Sequence, residues 1–385
     1  MVNSEEGAAP SIGVIGGGQL AWMMGRAAQD LGMRLWVQTP HPSDPAVATA
    51  AGVIYADISD VGATAQLAAH TQVITFENEF VDLVALQALV RQGVCFYPTL
   101  SSLAPLLDKY QQRCFLQQLG IPVPAFAYLE EWSTAAPCVI KACRHGYDGQ
   151  GTFIIRTEAQ WQQFWQRWPE IPPQHFLAEA LVPYTKELAI MVARSPRGEL
   201  VLYPVVETQQ VDAICRRVIA PAPIATAICQ QIEAIATQIL NALDAVGVFG
   251  IELFLTAAGD VLVNEIAPRT HNSGHYTIDA CVTSQFAQHL RAVSGQPLGS
   301  GAMHCPAAVM VNLLGLEATV DYSAKCAALA ALPEAHLHWY GKKNAYAGRK
   351  LGHLTVLLDC PDAAAAMIQQ IEAIWYGASV PVSLC

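Results

Sequence analysis

The order of predicted elements changes once, near residue 104, and that change limits the fold more than any single motif does. Before it, short β-branched runs alternate with helical stretches. SIGVIGG, QLAWMMGRAAQDLG and MRLWVQTP read as strand, helix and strand. VIYADIS and QVITFEN follow as strands, TAQLAAH and DLVALQALVRQG as helices, and VCFYP closes the set. Alternation with short links predicts a parallel, doubly wound sheet, placed at residues 1–103. Beyond it, a helix (PLLDKYQQRCFLQQLG) leads into AFAYL, CVIKAC, TFIIR, HFLAEAL, ELAIMVAR and ELVLYPVVE with no helix between them. Consecutive strands imply antiparallel pairing. With the long helix ATAICQQIEAIATQILNALDAVG and the hairpin VFGIELFLTAAGDVLVNEIAP they make a second unit, 104–292. CPAAVMVNLLG, HLHWYG, GRKLGHLTVLLD and a last helix, DAAAAMIQQIEAIW, make a third, 293–385. The fold class is therefore α/β followed by α+β.

Hydrophobic residues are 53% of the 385 and charged residues 14%, enough apolar surface for several cores. The net charge is −11, with lysines and arginines scattered, which argues against a nucleic-acid-binding face. Eleven cysteines form no CxxC pair, so reduced thiols are expected rather than disulfides or zinc. The start, MVNSEEGAAP, is too polar for a signal peptide. No apolar run approaches the ~20 residues that span a bilayer. These features predict a soluble, intracellular protein that binds neither nucleic acid nor membrane.

Five clusters carry chemistry. Gly16, Gly18 and Ala21 fit G-x-G-x-x-G/A at a strand-to-helix turn, where free amides favour an anion. A dinucleotide site would also want a carboxylate about twenty residues on, and Val37-Gln38-Thr39 supplies none. The turn therefore suits a phosphate-bearing ligand other than a dinucleotide, or simply close helix packing. Lys141 lies in the apolar strand CVIKAC, where a charge is costly without a counter-ion, and a glycine-rich loop, His145 to Gly151, follows it. Such a loop can close over phosphates, though a plain hairpin with an edge lysine reads the same.

The hairpin is the strongest signal. With a turn centred on Ala258-Gly259, Glu252 and Glu265 fall opposite each other. Opposed like charges are destabilising, and Mg²⁺ is the natural ion between two carboxylates and a polyphosphate. Two surface glutamates would read the same. Asn264 adds an oxygen, but strict alternation aims it at the other face. Next come Arg269, His271, Asn272, Ser273 and His275, five hydrogen-bonding side chains in seven positions, a density suited to a polar substrate or a proton transfer. Lys342, Lys343, Arg349, Lys350 and His353 form the one basic cluster, either a solvated face or an anion pocket.

Taken together, IGGGQLAWMM, FENE, KACRHGYDGQG, YPVVE, NEIAPRTHNSGH, HLHWYGKK and GRKLGH resemble 5-(carboxyamino)imidazole ribonucleotide synthases of the ATP-grasp superfamily, from about residue 12 to 355. The resemblance implies a Rossmann-like N-terminal domain, a central ATP-grasp of two lobes, a small C-terminal domain, a homodimer and a cytoplasmic location. It implies ATP held by Lys109, Lys141, Gly146, Tyr147, Asp148, Gly149, Gln150, Gly151, Thr152, Glu179, Ala180, Leu181, Val182 and Glu187. Mg²⁺ would be held by Glu252 and Glu265 beside Asn264. The aminoimidazole ribonucleotide would lie near Gly18, Gln19, Leu20, Glu77, Tyr147, Asp148, Arg269, His271, Asn272, Ser273, Lys342, Arg349 and Lys350. Bicarbonate would be activated by ATP as carboxyphosphate. Arg269, His271, Asp148 and Tyr147 would form the catalytic set, the first two holding bicarbonate and Asp148 taking a proton from the amine. A biotin carboxylase-like or formate-using ligase is the neighbouring alternative. The pattern lapses at Thr208-Gln209-Gln210, where the family carries an asparagine and later a histidine. It lapses again at Tyr346-Ala347, in place of a basic residue and a proline.

Overall fold

The computed structural model describes residues 9–133, 136–144, 151–168, 172–211, 214–317, 321–342 and 344–377. Four parallel strands come first: β1 (Ser11–Ile15), β2 (Arg34–Thr39), β3 (Gly52–Tyr55) and β4 (Val73–Phe76), in the order β3-β2-β1-β4. Every residue of β1 and β4 is buried, because helices cover both faces as a parallel sheet requires. Helix α1 (Gln19–Asp30) packs on one face with Ile12, Val14 and Leu35. Helices α2 (Val61–Ala68) and α3 (Leu83–Arg91) pack on the other with Ile15, Ile74 and Phe76. Asp60 and Asp82 cap α2 and α3 by accepting amide hydrogen bonds at their starts. The expected fifth strand, VCFYP, reduces to one bridge between Ile74 and Phe96. Pro98 has no N–H to extend the ladder.

A short turn of helix, α4 (Leu100–Leu103), and α5 (Lys109–Gln118) lead to a four-stranded antiparallel sheet. It comprises β5 (Phe126–Tyr128), β6 (Cys138–Ala142), β7 (Thr152–Ile155) and β8 (Phe176–Ala180), ordered β5-β8-β6-β7. Helix α6 (Glu158–Arg167) buries Phe164 against it. The chain then enters a nine-stranded antiparallel sheet whose main path is β14-β13-β9-β11-β12-β15-β17-β16. Its strands are β9 (Tyr184–Arg194), β10 (Leu200–Leu202, paired with β9), β11 (Val206–Val211), β12 (Ile214–Ala220), β13 (Gly247–Thr256), β14 (Val261–Ala267), β15 (Ala307–Leu314), β16 (Ala335–Trp339) and β17 (Lys350–Leu358).

Helix α7 (Thr226–Leu243) covers the β9–β13–β14 end with Ile232, Ile235, Ile239 and Leu240. After a turn of helix, α8 (Thr277–Ala280), comes α9 (Gln285–Val293), whose Phe286, Leu290 and Val293 join the core beneath α1. His289 of α9 bonds Thr75 through Nε2 (2.8 Å) and the Val248 amide through Nδ1 (3.0 Å), tying the parallel sheet to β13. At the far end, α10 (Ser323–Ala330) and α11 (Ala364–Tyr376) pack on β15 and β17. There Arg217 of β12 meets Glu372 in a two-pronged buried ion pair at 2.7 and 2.6 Å. The ten cysteines among the described residues form no disulfide with one another.

Candidate active site

The β13–β14 hairpin does bring Glu252 opposite Glu265, by a route that alternation alone does not give. Leu255, Phe254 and Leu253 pair with Val261, Leu262 and Val263, which centres the turn on Ala258. The register then shifts at Glu252, so Asn264 is an extra residue and Glu252 pairs with Glu265. Such a bulge re-aims side chains, and this overturns the expectation that Asn264 faces away. Its Oδ1 accepts from Lys141 Nζ (2.9 Å) and its Nδ2 donates to Glu252 Oε2 (3.4 Å). Gly259, at φ +88°, closes the turn with an amide bond to Thr256 O of 3.0 Å.

The two carboxyls hold protons differently. Loss of bulk water, then Glu265 and Glu187, pushes Glu252 up to about 7. The same loss of water would raise Glu265, but Lys109, Lys141 and Arg113 outweigh it and hold it at about 2. The side chains remain 23% and 39% exposed, so the pair opens to one side. Two hard oxygen ligands with room for substrate phosphates are the donor set Mg²⁺ takes.

A cationic wall faces this pair. Lys109 opens α5, whose N-cap Asp108 accepts from the amides of Tyr110 and Gln111. The Lys109 amide bonds Cys143 O (2.8 Å), and its Nζ meets Glu265 Oε1 at 2.7 Å. Lys141, buried in β6, lies 2.6 Å from Glu179 Oε2, and Arg113 lies 2.5 Å from Glu179 Oε1. Glu179 is 2% exposed, so it acts as the internal counter-ion of two buried cations. Burial lowers the Lys141 pKa in spite of that partner. Arg113 also donates to Asn264 O at 2.5 Å, gripping the bulge. Ala180 ends β8, and Leu181 and Val182 carry the chain from the small sheet into the large one. Thr152 pairs with Lys141 in register, and Gly151 O accepts from the Ala142 amide (2.8 Å). Glu187 on β9 stands near Glu252, raised by burial and bonded to the side chains of Tyr184 and Gln210. Gly146, Tyr147, Asp148, Gly149, Gln150 and Lys343 lie outside the described residues.

The glycine turn is an anion seat, but its occupant is internal. Glu77 accepts from the amides of Gly18 (2.6 Å), Leu20 (3.1 Å) and Ala21 (3.3 Å). Glu77 thus fills the place expected for a phosphate, and what the turn offers outward is the Gln19 side chain. Lys342 Nζ donates to Gln19 Oε1 at 2.6 Å and to Lys350 O at 2.8 Å, so the C-terminal basic residues reach this turn. Lys350 is buried, while Arg349 donates to Asn344 O and leans over Tyr346.

Between the two halves lie Arg269 and His271. Arg269 meets Glu79 at 3.0 Å, and its Nε has no partner among the described residues. His271 contacts Glu252 Oε1 through Nε2 (3.5 Å) and Ser273 Oγ through Nδ1 (2.9 Å). Its amide donates to Gln285 Oε1 at 2.8 Å. Asn272 and Ser273, expected beside substrate, are both buried. Asn272 exchanges two hydrogen bonds with Asn312 of β15 (3.0 and 2.7 Å), and Ser273 is 1% exposed. An amide in an apolar core needs such a partner, and only the strand across the sheet supplies it.

Four residues here were not anticipated: Arg113, Glu79, Gln285 and Gly250. A Cβ at Gly250 would lie 2.6 Å from His271 Cβ, so only glycine leaves room for that histidine. Glu79, inside FENE, had a visible signal. Arg113 sits in a polar helix and had none.

Three family descriptions match successive parts of the chain: a ribonucleotide synthetase preATP-grasp domain (residues 10–105), an ATP-grasp domain (114–286) and a phosphoribosylaminoimidazole carboxylase C-terminal domain (308–367). An N5-carboxyaminoimidazole ribonucleotide synthase of Synechocystis sp. is 52% identical over 95% of this chain and 98% of its own. One from Synechococcus elongatus is 50% identical over 94% and 95%. The Aspergillus clavatus enzyme, solved with ADP and 5-aminoimidazole ribonucleotide, superposes with a TM-score of 0.86 at 31% identity, covering 96% of this chain and 99% of that one. With half its residues shared along nearly its whole length, this chain belongs to the N5-carboxyaminoimidazole ribonucleotide synthase family of ATP-grasp ligases.

Proposed function

We propose that the chain carboxylates 5-aminoimidazole ribonucleotide with bicarbonate and ATP, giving the N5-carboxyamino ribonucleotide, ADP and phosphate in purine biosynthesis. One observation carries the reading. Glu252 faces Glu265 under Lys109, Lys141 and Arg113, and His271 joins this nucleotide end to Arg269.

The residues divide the work. Lys109 and Lys141 neutralise phosphate oxygens, with Glu187 and the Glu179–Val182 passage holding the rest of the nucleotide. Glu252 and Glu265 would hold Mg²⁺ beside Asn264, and the ion when bound supplies charge neutralisation at the phosphates. A bicarbonate oxygen attacks the γ-phosphorus, ADP leaves, and carboxyphosphate forms. The exocyclic amine then attacks the carboxyl carbon of carboxyphosphate, or of the CO₂ it releases, with phosphate departing. Arg269, held by Glu79, would bind the carboxylate oxygens through its guanidinium, with His271 beside it, an arrangement that stabilises developing charge. Asp148 takes the amine proton, with Tyr147 next to it. Lys342, Lys350 and Arg349 serve the ribonucleotide phosphate.

We divide the chain into units at 1–103, 104–292 and 293–385 and take it as a cytoplasmic homodimer. Among the described residues no helix is long and apolar enough to cross a membrane. The deciding assay is ADP release with and without the ribonucleotide, each with and without bicarbonate. Release that needs both supports the reading, and release coupled to formate instead removes it.

A further inference from the structure

Outside this site, imidazoles gather where α8 meets the C-terminal strands. His338 and His353 are direct cross-strand partners on β16 and β17, their rings stacked at 4.5 Å. Asp279 of α8 leans over them, with Oδ2 at 2.8 Å from His338 Nε2. One nitrogen from each histidine and one Asp279 oxygen all lie within 4.8 Å of one another. His275 stands at the edge, its ring 5.0 Å from that of His353.

Two nitrogens in this group lack partners. His353 and His275 are both 0% exposed, and the Nε2 of each has no hydrogen-bond partner among the described residues. Buried polar atoms are rarely left so. The hydrogen bonding fixes what each one needs. Gln285 is oriented by its bonds to the His271 amide and carbonyl, so its NH₂ donates to His275 Nδ1 (3.1 Å). His275 Nε2 therefore carries a proton and wants an acceptor. His353 Nδ1 pairs with Tyr340 OH at 2.8 Å. When that nitrogen donates, Nε2 is a bare lone pair, and a second ring nitrogen tied to an oxygen is the usual support of a metal-bound imidazole.

We propose that Asp279, His338 and His353 bind a borderline transition-metal ion of the Zn²⁺ class, with a metal-bound water accepting from His275. Two neutral imidazoles and a carboxylate, with water in the open position, are a donor set for Zn²⁺ rather than for the Mg²⁺ of the glutamate pair. Metal–nitrogen bonds of about 2.0–2.1 Å put tetrahedral ligands roughly 3.4 Å apart. The Asp279–His338 pair is already inside that spacing, whereas His353 must move by about 1 Å or more and turn its ring out of the stack on His338, because the in-plane lone pairs of two parallel rings do not meet at one ion. His336, half-exposed and 3.7 Å from Asp279, marks the side by which an ion enters. The ion would pin α8, next to the loop bearing Arg269 and His271, to the strand that begins at Lys350.

The test uses full-length protein stripped with chelator and returned to one equivalent of Co²⁺ or Zn²⁺ at neutral pH with excess Mg²⁺. The proposal expects one Co²⁺ per chain with visible absorption of nitrogen and oxygen ligands, and a thermal midpoint raised by Zn²⁺. His338→Gln and Asp279→Asn, both at positions less buried than His353, should each weaken binding at least about tenfold. Glu252→Gln should leave it intact. Failure to retain Co²⁺ in the presence of Mg²⁺ overturns the proposal and assigns the orphan nitrogens to a buried water. So does binding that survives both cluster substitutions, or that disappears with Glu252→Gln.

Discussion

Lys342 Nζ donates to Gln19 Oε1 over 2.6 Å, although 323 residues separate the two. The same ammonium holds Lys350 O at 2.8 Å. The first strand-to-helix turn and the last long strand thus share one lysine, and both ends of the chain meet where we propose the ribonucleotide binds. Because Glu77 already takes the turn's amides, we assign the holding of a substrate phosphate to the C-terminal cations.

Lys350→Ala should therefore weaken use of the ribonucleotide and leave ATP alone. A charge-assisted contact contributes about 1.5–3 kcal/mol, and ~1.4 kcal/mol is tenfold. The ribonucleotide KM should rise roughly ten- to a hundredfold when each substrate is titrated separately. A rise in the ATP term with a flat ribonucleotide term would reassign the cluster to the nucleotide.

Glu179→Gln should cost stability before it costs chemistry. Arg113 and Lys141 both lean on this one buried carboxylate, and removing it strands two cations away from water. Breaking a buried pair in that way costs about 3–5 kcal/mol. Urea unfolding at neutral pH measures it. A loss below about 1 kcal/mol would show that the two cations have a second counter-ion.

These contacts mark what the sequence could and could not disclose. The opposition of Glu252 and Glu265 was legible because hairpin pairing is arithmetic on the chain. The bulge at Asn264 was not, since an extra residue leaves no trace in a period-two pattern. The anion seat at Gly18 was legible from backbone geometry, but its occupant comes from 59 residues away. Strand β12 was overlooked because Arg216 and Arg217 stand mid-strand, where a surface loop is the ordinary reading. Their burial makes sense only with Glu372, 155 residues beyond Arg217. Asn272 illustrates the same limit in reverse, since its partner Asn312 lies on another strand.

Gly250→Ala should damage turnover without touching either substrate directly. The new methyl would lie 2.6 Å from His271 Cβ and 2.9 Å from its Cγ, forcing the imidazole off Glu252. Misplacing a catalytic group by about 1 Å can cost a hundredfold. The expectation is a kcat lowered tenfold or more, with the ATP KM little changed and a loss of stability of about 1–3 kcal/mol by urea unfolding. Normal kcat with His271 visibly displaced would remove that residue from the chemistry.

The carboxylate pair sets the last expectation, in which the sign of a pH effect does the deciding. Glu252 is raised on folding from an ordinary 4.5 to about 7. Its ionisation therefore opposes folding: the penalty is absent below pH 4.5, grows between 4.5 and 7, and is complete above 7. Glu265 is lowered from 4.5 to about 2, so its contribution is present above 4.5 and is lost as pH falls towards 2. In metal-free protein, Glu252→Gln should then be more stable than the parent above pH 7, with the advantage fading towards pH 4.5. Glu265→Gln should be less stable at neutral pH, because Lys109 loses its partner. Both should lose most ATP-dependent turnover, since an amide is a poor substitute for a carboxylate on Mg²⁺. Thermal midpoints across pH 5–8 separate the two, and a Glu252→Gln protein less stable than its parent at pH 8 would show that this carboxylate is already paired when no ion is bound.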